Sequence, residues 1–144
     1  MTRENKYPET TTFHFHNQNP RNRITGDCVF RAISLGTGKD YNDCVMEMAQ
    51  LMCETGYALN DTKGIESYLK SLGWNKNKQP RKSDNTKYTG VEFCKYLNKY
   101  YTGDTVIANI GRHHIVCIKR YNGKFKIHDI WDSTDGCIGN YWTL

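Results

Sequence analysis

Residues 26–33 read Gly-Asp-Cys-Val-Phe-Arg-Ala-Ile, and this stretch decides how the chain is organised. Asp27 can cap a helix that runs from there to about Gly36, so Cys28 lies in the first turn of that helix. The positive end of a helix favours a thiolate over a thiol, and the free backbone N–H of Cys28 can face a developing oxyanion. A nucleophilic cysteine would use this arrangement, although a buried structural cysteine could occupy the same position.

Helices precede strands along the rest of the chain. Helical spacing of apolar residues and helix-ending glycines predict helices over 27–36, 41–54, 62–72 and 89–101. Strand patterns then predict strands over 105–109, 114–119, 125–129 and 140–144, with an Asn-Gly hairpin turn at 122–123. An alternating run at 11–16 lies within the polar N-terminal segment 1–21. The predicted fold class is therefore α+β, with N-terminal helices packed on a C-terminal antiparallel sheet.

The length and charge of the chain restrict the function further. The 144 residues are enough for one domain, 1–144, and the net charge is only +5. Five basic residues and one acid fall in 75–88, which is predicted to be an exposed basic loop, either solvated or attractive to an acidic partner. The near-neutral remainder argues against a nucleic-acid-binding surface. No apolar run reaches the ~20 residues that span a bilayer, and no signal-peptide core is present, so we expect a cytoplasmic protein without a membrane partner.

Six cysteines are spread over the chain without a Cys-x-x-Cys pair, which argues against a zinc site. Without a secretion signal, a disulfide framework is not expected either. Three of the cysteines fall at core-like positions of their segments and are predicted to be small apolar filler: Cys44, Cys94 and Cys117. The sequence thus predicts no cofactor and no metal.

A nucleophilic thiol needs a base and a group that orients the base. His113 and His114 open one predicted strand and Asp129 ends the next, so a hairpin brings them together. Strand alternation places His114 in phase with Val116 and Ile118, which we interpret as the face toward the helix. His114 is therefore the predicted base and Asp129 the orienting acid. His113 stays the alternative base, and a purely structural histidine is the competing interpretation.

This order of residues resembles papain-like cysteine peptidases. Cys28 matches the nucleophile of that family, His114 its base, and Asp129 the Asn or Asp that ends the following strand. The resemblance further implies that Trp131, in Asp-Ile-Trp, shields the histidine hydrogen bond, and that Asn22 takes the place of the glutamine in the oxyanion hole beside the Cys28 N–H.

Within this group, the segments 27–32, 36–41, 129–133 and 139–142 are similar to small papain-fold proteins of phages and their bacterial hosts. Residues 26–32 are also similar, more weakly, to ovarian-tumour-type deubiquitinases, which usually carry Asp where this chain has Thr25. The resemblance implies a papain-like fold and a bacterial or phage-infected cell. It places the chain nearer to bacteriocin-processing and papain-type peptidases than to deubiquitinases.

Three function classes follow from these observations. The first is a cysteine peptidase or isopeptidase that acts on a peptide or protein through a thioester acyl-enzyme. The second is an amidase or acyltransferase that uses the same fold on a small molecule, because a fold does not determine a substrate. The third is a non-catalytic binding protein, for example a phage product that occupies a host factor. The sequence does not indicate the oligomeric state.

Overall fold

The computed structural model describes residues 1–144 and shows an α+β fold, as the sequence predicts, with five helices and one six-stranded sheet. The helices are α1 (Arg3–Lys6), α2 (Cys28–Thr37), α3 (Tyr41–Thr55), α4 (Thr62–Ser71) and α5 (Gly90–Tyr100). The strands are β1 (Phe13–Phe15), β2 (Asn75–Asn77), β3 (Thr105–Ile110), β4 (His114–Tyr121), β5 (Lys124–Asp129) and β6 (Ile138–Thr143). They form the sheet in the order β1-β5-β4-β3-β6-β2.

The helix ends follow local chemistry, with one exception at α2. The Asp40 side chain caps α3, which ends at Gly56 in the left-handed region, and Thr89 forms a capping box with Glu92 at the start of α5. Asp27 occupies the N-cap position of α2, but its side chain makes no capping hydrogen bond. The predicted side-chain cap is therefore wrong, because the Asp27 carboxylate binds Arg31 instead.

The sheet is mixed, which corrects the predicted antiparallel sheet. β1 from the N-terminal segment pairs parallel with β5, Phe13 opposite Ile127, and so lies at one edge. β2 lies at the other edge, antiparallel to β6, and it corrects the prediction that all of 75–88 is a loop. Most side chains of that segment are exposed. The alternating run at 11–16 indicates β1, but its parallel partner is not encoded locally, and β2 is three residues long and pairs with a distant part of the chain.

Helices cover both faces of the sheet. On one face, α2, α3 and α4 bury a cluster that includes Ile107, Ile115 and Cys117. On the other face, α5 buries a cluster that includes Val116 and Ile118. The helices therefore pack on the sheet, as predicted, but they form two layers, one on each face. The residues from Ile115 to Ile118 are all buried, as expected of a strand that is covered on both sides.

Of the six cysteines, Cys44, Cys94 and Cys117 are buried, as predicted. Cys53 and Cys137 are exposed, and Cys28 is partly buried. All six are free thiols. No group of three or more histidine, cysteine, aspartate or glutamate side chains is arranged to hold a metal ion. Each helix is too short or too polar to cross a membrane.

Candidate active site

Cys28 is the first residue of α2 and borders an open groove of about 420 Å³. His114, the first residue of β4, and His113, in the turn before it, border the same groove. The other lining residues are uncharged: Gly26, Val29, Asn60, Thr62, Ile65, Asn109 and Ile115. The predicted nucleophile and both predicted bases therefore lie around one cavity.

His114 and Asp129 form a short hydrogen bond, with 2.6 Å between Nε2 of the ring and Oδ2 of the carboxylate. β4 begins at His114 and β5 ends at Asp129, so antiparallel pairing of these strands brings both residues to the same end of the sheet. Asp129 is buried, with 1% of its surface exposed. Because Nε2 faces the carboxylate, Nδ1 is the ring nitrogen that is left for the Cys28 thiol.

Of the two histidines, His114 is the one bonded to Asp129, although the strand phase used for the prediction points to the wrong layer. Val116 and Ile118 face α5, whereas Ile115 and Cys117 face α2. His114 is the first residue of β4, and its ring contacts both Asp129 of β5 and Cys28 of α2. His113 has a φ of +58° in the preceding turn, and its side chain is exposed.

The electrostatics of the site favour an ion pair between Cys28 and His114. Burial raises the pKa of the Cys28 thiol, but hydrogen bonds from His114 and from the Ile115 backbone N–H, together with the positive charges of His114 and Arg31, lower it below its usual value. Burial lowers the pKa of His114, but its bonds to Asp129 and Cys28 raise it to about 9. Both shifts favour a thiolate beside an imidazolium over the neutral thiol and imidazole.

Arg31 of α2 connects this helix to Asp129 at the end of β5. The sequence analysis did not identify it as a residue of the site. Its Nη1 donates to Oδ1 of Asp129 at 2.6 Å, and its Nε donates to Oδ1 of Asp27 at 2.7 Å. All three side chains are buried. The signal that could have revealed it is an arginine one helical turn after Cys28, among apolar residues that face the core.

Asn22 is not among the residues that line the Cys28 groove. It is exposed, has a φ of +54°, and its Oδ1 accepts a long, 3.4 Å hydrogen bond from Asn17. Its role in an oxyanion hole stays a prediction. The side-chain amides in the groove are those of Asn60 and Asn109, and the sequence analysis singled out neither.

Trp131 packs against the ring of His114, with 4.9 Å between the ring centroids and an angle of 39° between the planes. Its side chain remains 37% exposed. The indole therefore covers one side of the imidazole while leaving the groove open on the Cys28 side.

A more voluminous cleft, of about 570 Å³, lies beside α5 among lysines and tyrosines that include Lys82, Tyr88 and Tyr96. It does not border Cys28 or His114. The groove at the end of the sheet is the better candidate because a thiol and an imidazole line it and a buried carboxylate binds that imidazole.

Comparisons with protein-family models, with curated proteins and with solved structures find no match to this chain. The functional assignment therefore depends on the chemistry of the groove. The arrangement of a half-buried thiol, an imidazole and a buried carboxylate is suited to nucleophilic attack on a carbonyl.

Proposed function

We propose that the chain is a cysteine hydrolase of papain-like type that cleaves peptide or isopeptide bonds, with Cys28 as nucleophile, His114 as base and Asp129 as the orienting acid. One observation carries the proposal: Asp129 holds Nε2 of His114 at 2.6 Å, which leaves Nδ1 for the thiol. The chain order of Cys, His and Asp, and the thiol at the start of a helix, are the features that support papain-likeness.

The reaction begins with the Cys28 thiolate, whose proton is held by His114. The sulfur attacks the carbonyl carbon of the substrate, and the carbonyl oxygen becomes an oxyanion that the Cys28 backbone N–H can stabilise. Nδ1–H of His114 then gives its proton to the leaving amine as the C–N bond breaks, which produces a thioester. His114 next takes a proton from water, the resulting hydroxide attacks the thioester, and the products are a carboxylic acid and free Cys28.

The groove favours an uncharged stretch of substrate next to the bond that is cleaved. None of its lining residues is a lysine, arginine, aspartate or glutamate. Val29, Ile65 and Ile115 give it an apolar wall, and the amides of Asn60 and Asn109 can bind a polypeptide backbone. A charged side chain at this position would lose its hydration without gaining a partner.

A peptidyl vinyl sulfone probe, which adds to reactive thiolates, tests whether Cys28 is a nucleophile. We expect one probe per chain on the wild type, none on Cys28→Ala, and wild-type labelling of Cys53→Ala, which removes an exposed thiol elsewhere. Peptide, ubiquitin-like isopeptide and small-amide substrates then identify the acyl donor. Turnover of small amides alone would contradict the peptidase assignment, and absence of labelling would contradict catalysis altogether.

A further inference from the structure

Arg31 is buried, with 7% of its surface exposed, although its guanidinium carries a permanent charge. Burying such a charge is costly unless carboxylates pair with it. The structure provides two of them on opposite sides of the guanidinium: Asp27 from the start of its own helix and Asp129 from the end of β5. Arg31 is thus a link between the helix that carries the thiol and the strand that carries the acid.

The two oxygens of Asp129 have separate partners. Oδ1 accepts hydrogen bonds from Nη1 of Arg31 at 2.6 Å and from the backbone N–H of Ile130 at 2.7 Å. Oδ2 is bonded to Nε2 of His114 at 2.6 Å. Because Oδ1 is held on two sides, the carboxylate cannot rotate without breaking both bonds. Oδ2 is therefore kept in the direction of the imidazole.

Asp27 holds Arg31 in turn. Its Oδ1 accepts from Nε of Arg31, and its Oδ2 accepts from the hydroxyl of Tyr41 at 2.6 Å and the amide of Asn19 at 3.0 Å. The guanidinium is planar, so fixing Nε also fixes the direction in which Nη1 points. A lysine carries a point charge and cannot reproduce this two-sided geometry.

We infer that Arg31 is a positioning residue: anchored by Asp27, it orients the Asp129 carboxylate so that Oδ2 holds Nε2 of His114 and Nδ1 faces the Cys28 thiol. The catalytic relevance of this role rests on the proposed function. The role itself concerns the geometry of the His114–Asp129 pair and can be measured without a substrate. It also explains why an arginine is buried one helical turn after the nucleophile.

The titration of His114, followed by NMR of its ring protons, tests this role. The charged and titratable groups around the ring are Asp129 from β5, Cys28 and Arg31 from α2, His113 and Arg112 from the preceding turn, and Asp135 from the loop after β5. The bond to Asp129 is the foremost contribution that raises the His114 pKa. Arg31→Lys keeps a positive charge beside Asp129 but cannot bind Asp27 and Asp129 together through one planar group. Oδ2 is then held less firmly toward the ring, and we expect the His114 pKa to fall by about one unit or more.

Two further variants separate geometry from charge and from stability. Arg31→Met removes the positive charge as well as the planar group. Loss of that charge by itself raises the His114 pKa, so we expect the pKa in Arg31→Met to lie above that in Arg31→Lys. Arg120→Met removes a partly buried arginine at the far end of β4, where it binds the carbonyls of Tyr101 and Gly103. We expect Arg120→Met to lose stability while the His114 pKa stays at its wild-type value.

A His114 pKa at or above the wild-type value in folded Arg31→Lys would overturn the positioning role. Failure of the proposed function looks different. In that case Cys28 of the wild type does not react with the vinyl sulfone probe, whereas the His114 pKa still responds to Arg31.

Discussion

At the scale of single residues, the Cys28 thiol depends on contacts from two other parts of the chain. His114 and the Ile115 backbone N–H approach it from the start of β4, and Arg31 contributes a positive charge from the next turn of α2. These contributions outweigh burial, which on its own would raise the thiol pKa. Cys28 therefore differs from Cys94 and Cys117, where burial raises the pKa to about 12.

The first prediction concerns the two adjacent histidines. His114→Ala removes the hydrogen bond and the positive charge that lower the Cys28 pKa, so less thiolate is present at pH 6–7. Since one pKa unit changes the thiolate fraction tenfold, we expect Cys28 alkylation by iodoacetamide to slow by about tenfold or more at pH 6–7. The rate constant, followed by mass spectrometry, measures this effect.

His113→Ala is the matched control, because His113 borders the same groove but is exposed. Its alkylation rate should stay within about twofold of the wild type, since no hydrogen bond to Cys28 is lost. Loss of reactivity in His113→Ala alone would show that His113 is the base.

At the scale of elements, the parallel pairing of β1 with β5 brings three histidines together. His14 pairs with His128 in the register, and their ring centroids are 5.0 Å apart, while His16 lies 6.4 Å from His128. Burial lowers the pKa of His128 to about 4, and the charges of His14, His16 and Lys119 act in the same direction. In the folded chain His128 is therefore neutral, and its Nε2–H donates to the carbonyl of Lys119.

This neutral histidine predicts a loss of stability in acid. An unfolded chain takes up a proton at His128 near pH 6.5, but the folded chain does so only near pH 4. The stabilisation is thus present above pH 6.5 and is lost as the pH falls from 6.5 to 4, by about 1–3 kcal/mol. His128→Gln should unfold in urea with a smaller loss over this range. An equal loss in His128→Gln and in the control His113→Gln would contradict the assignment.

Close packing at the start of α5 gives a further prediction. A methyl group on Gly90 would lie 2.8 Å from both the backbone oxygen of Thr134 and Cδ1 of Ile127. Since a backbone oxygen cannot rotate away, we expect Gly90→Ala to lower the free energy of unfolding by about 1–3 kcal/mol, measured by thermal denaturation. Gly26→Ala is the control, because a methyl group there meets no atom within 4 Å. Equal stability of the two variants would contradict this packing.

At the scale of the whole molecule, the sheet and the helix layers on its two faces determine how accessible each of the six thiols is. α2 holds Cys28 at the edge of the groove, the core buries Cys44, Cys94 and Cys117, and the surface exposes Cys53 and Cys137. We therefore expect the reactivity of Cys28 to require the folded arrangement of helix and sheet. The reactivity of Cys53 and Cys137 should depend on their exposure alone.

With limiting iodoacetamide at neutral pH, we expect Cys28 to be alkylated first, then the two exposed thiols, and last the three buried ones. In guanidinium chloride the helix and its histidine partner are lost, so the six rates should converge. Peptide mapping by mass spectrometry gives the order. Modification of Cys53 or Cys137 first, with Cys28 reached only after denaturation, would show that Cys28 is a structural thiol.

The features that could be predicted from the sequence are those that local interactions determine. Periodicity, helix-ending glycines and the Asn122–Gly123 turn predicted α2 to α5 and β3 to β6 to within a few residues. The same signals placed Cys28 at a helix start, and hairpin geometry brought His114 and Asp129 to one end of the sheet. Neighbours in sequence determine these features, so no knowledge of distant contacts was needed.

Tertiary structure alone decided the contacts between distant segments. Arg31 and Asp129 are 98 positions apart, and nothing near either residue shows that they pair. The division of the helices between two faces and the parallel pairing of β1 also depend on how the layers pack. The sequence by itself therefore determined the elements and the candidate nucleophile. Packing determined which partners surround that nucleophile, because burial and ion pairing act on neighbours in space and not on neighbours in sequence.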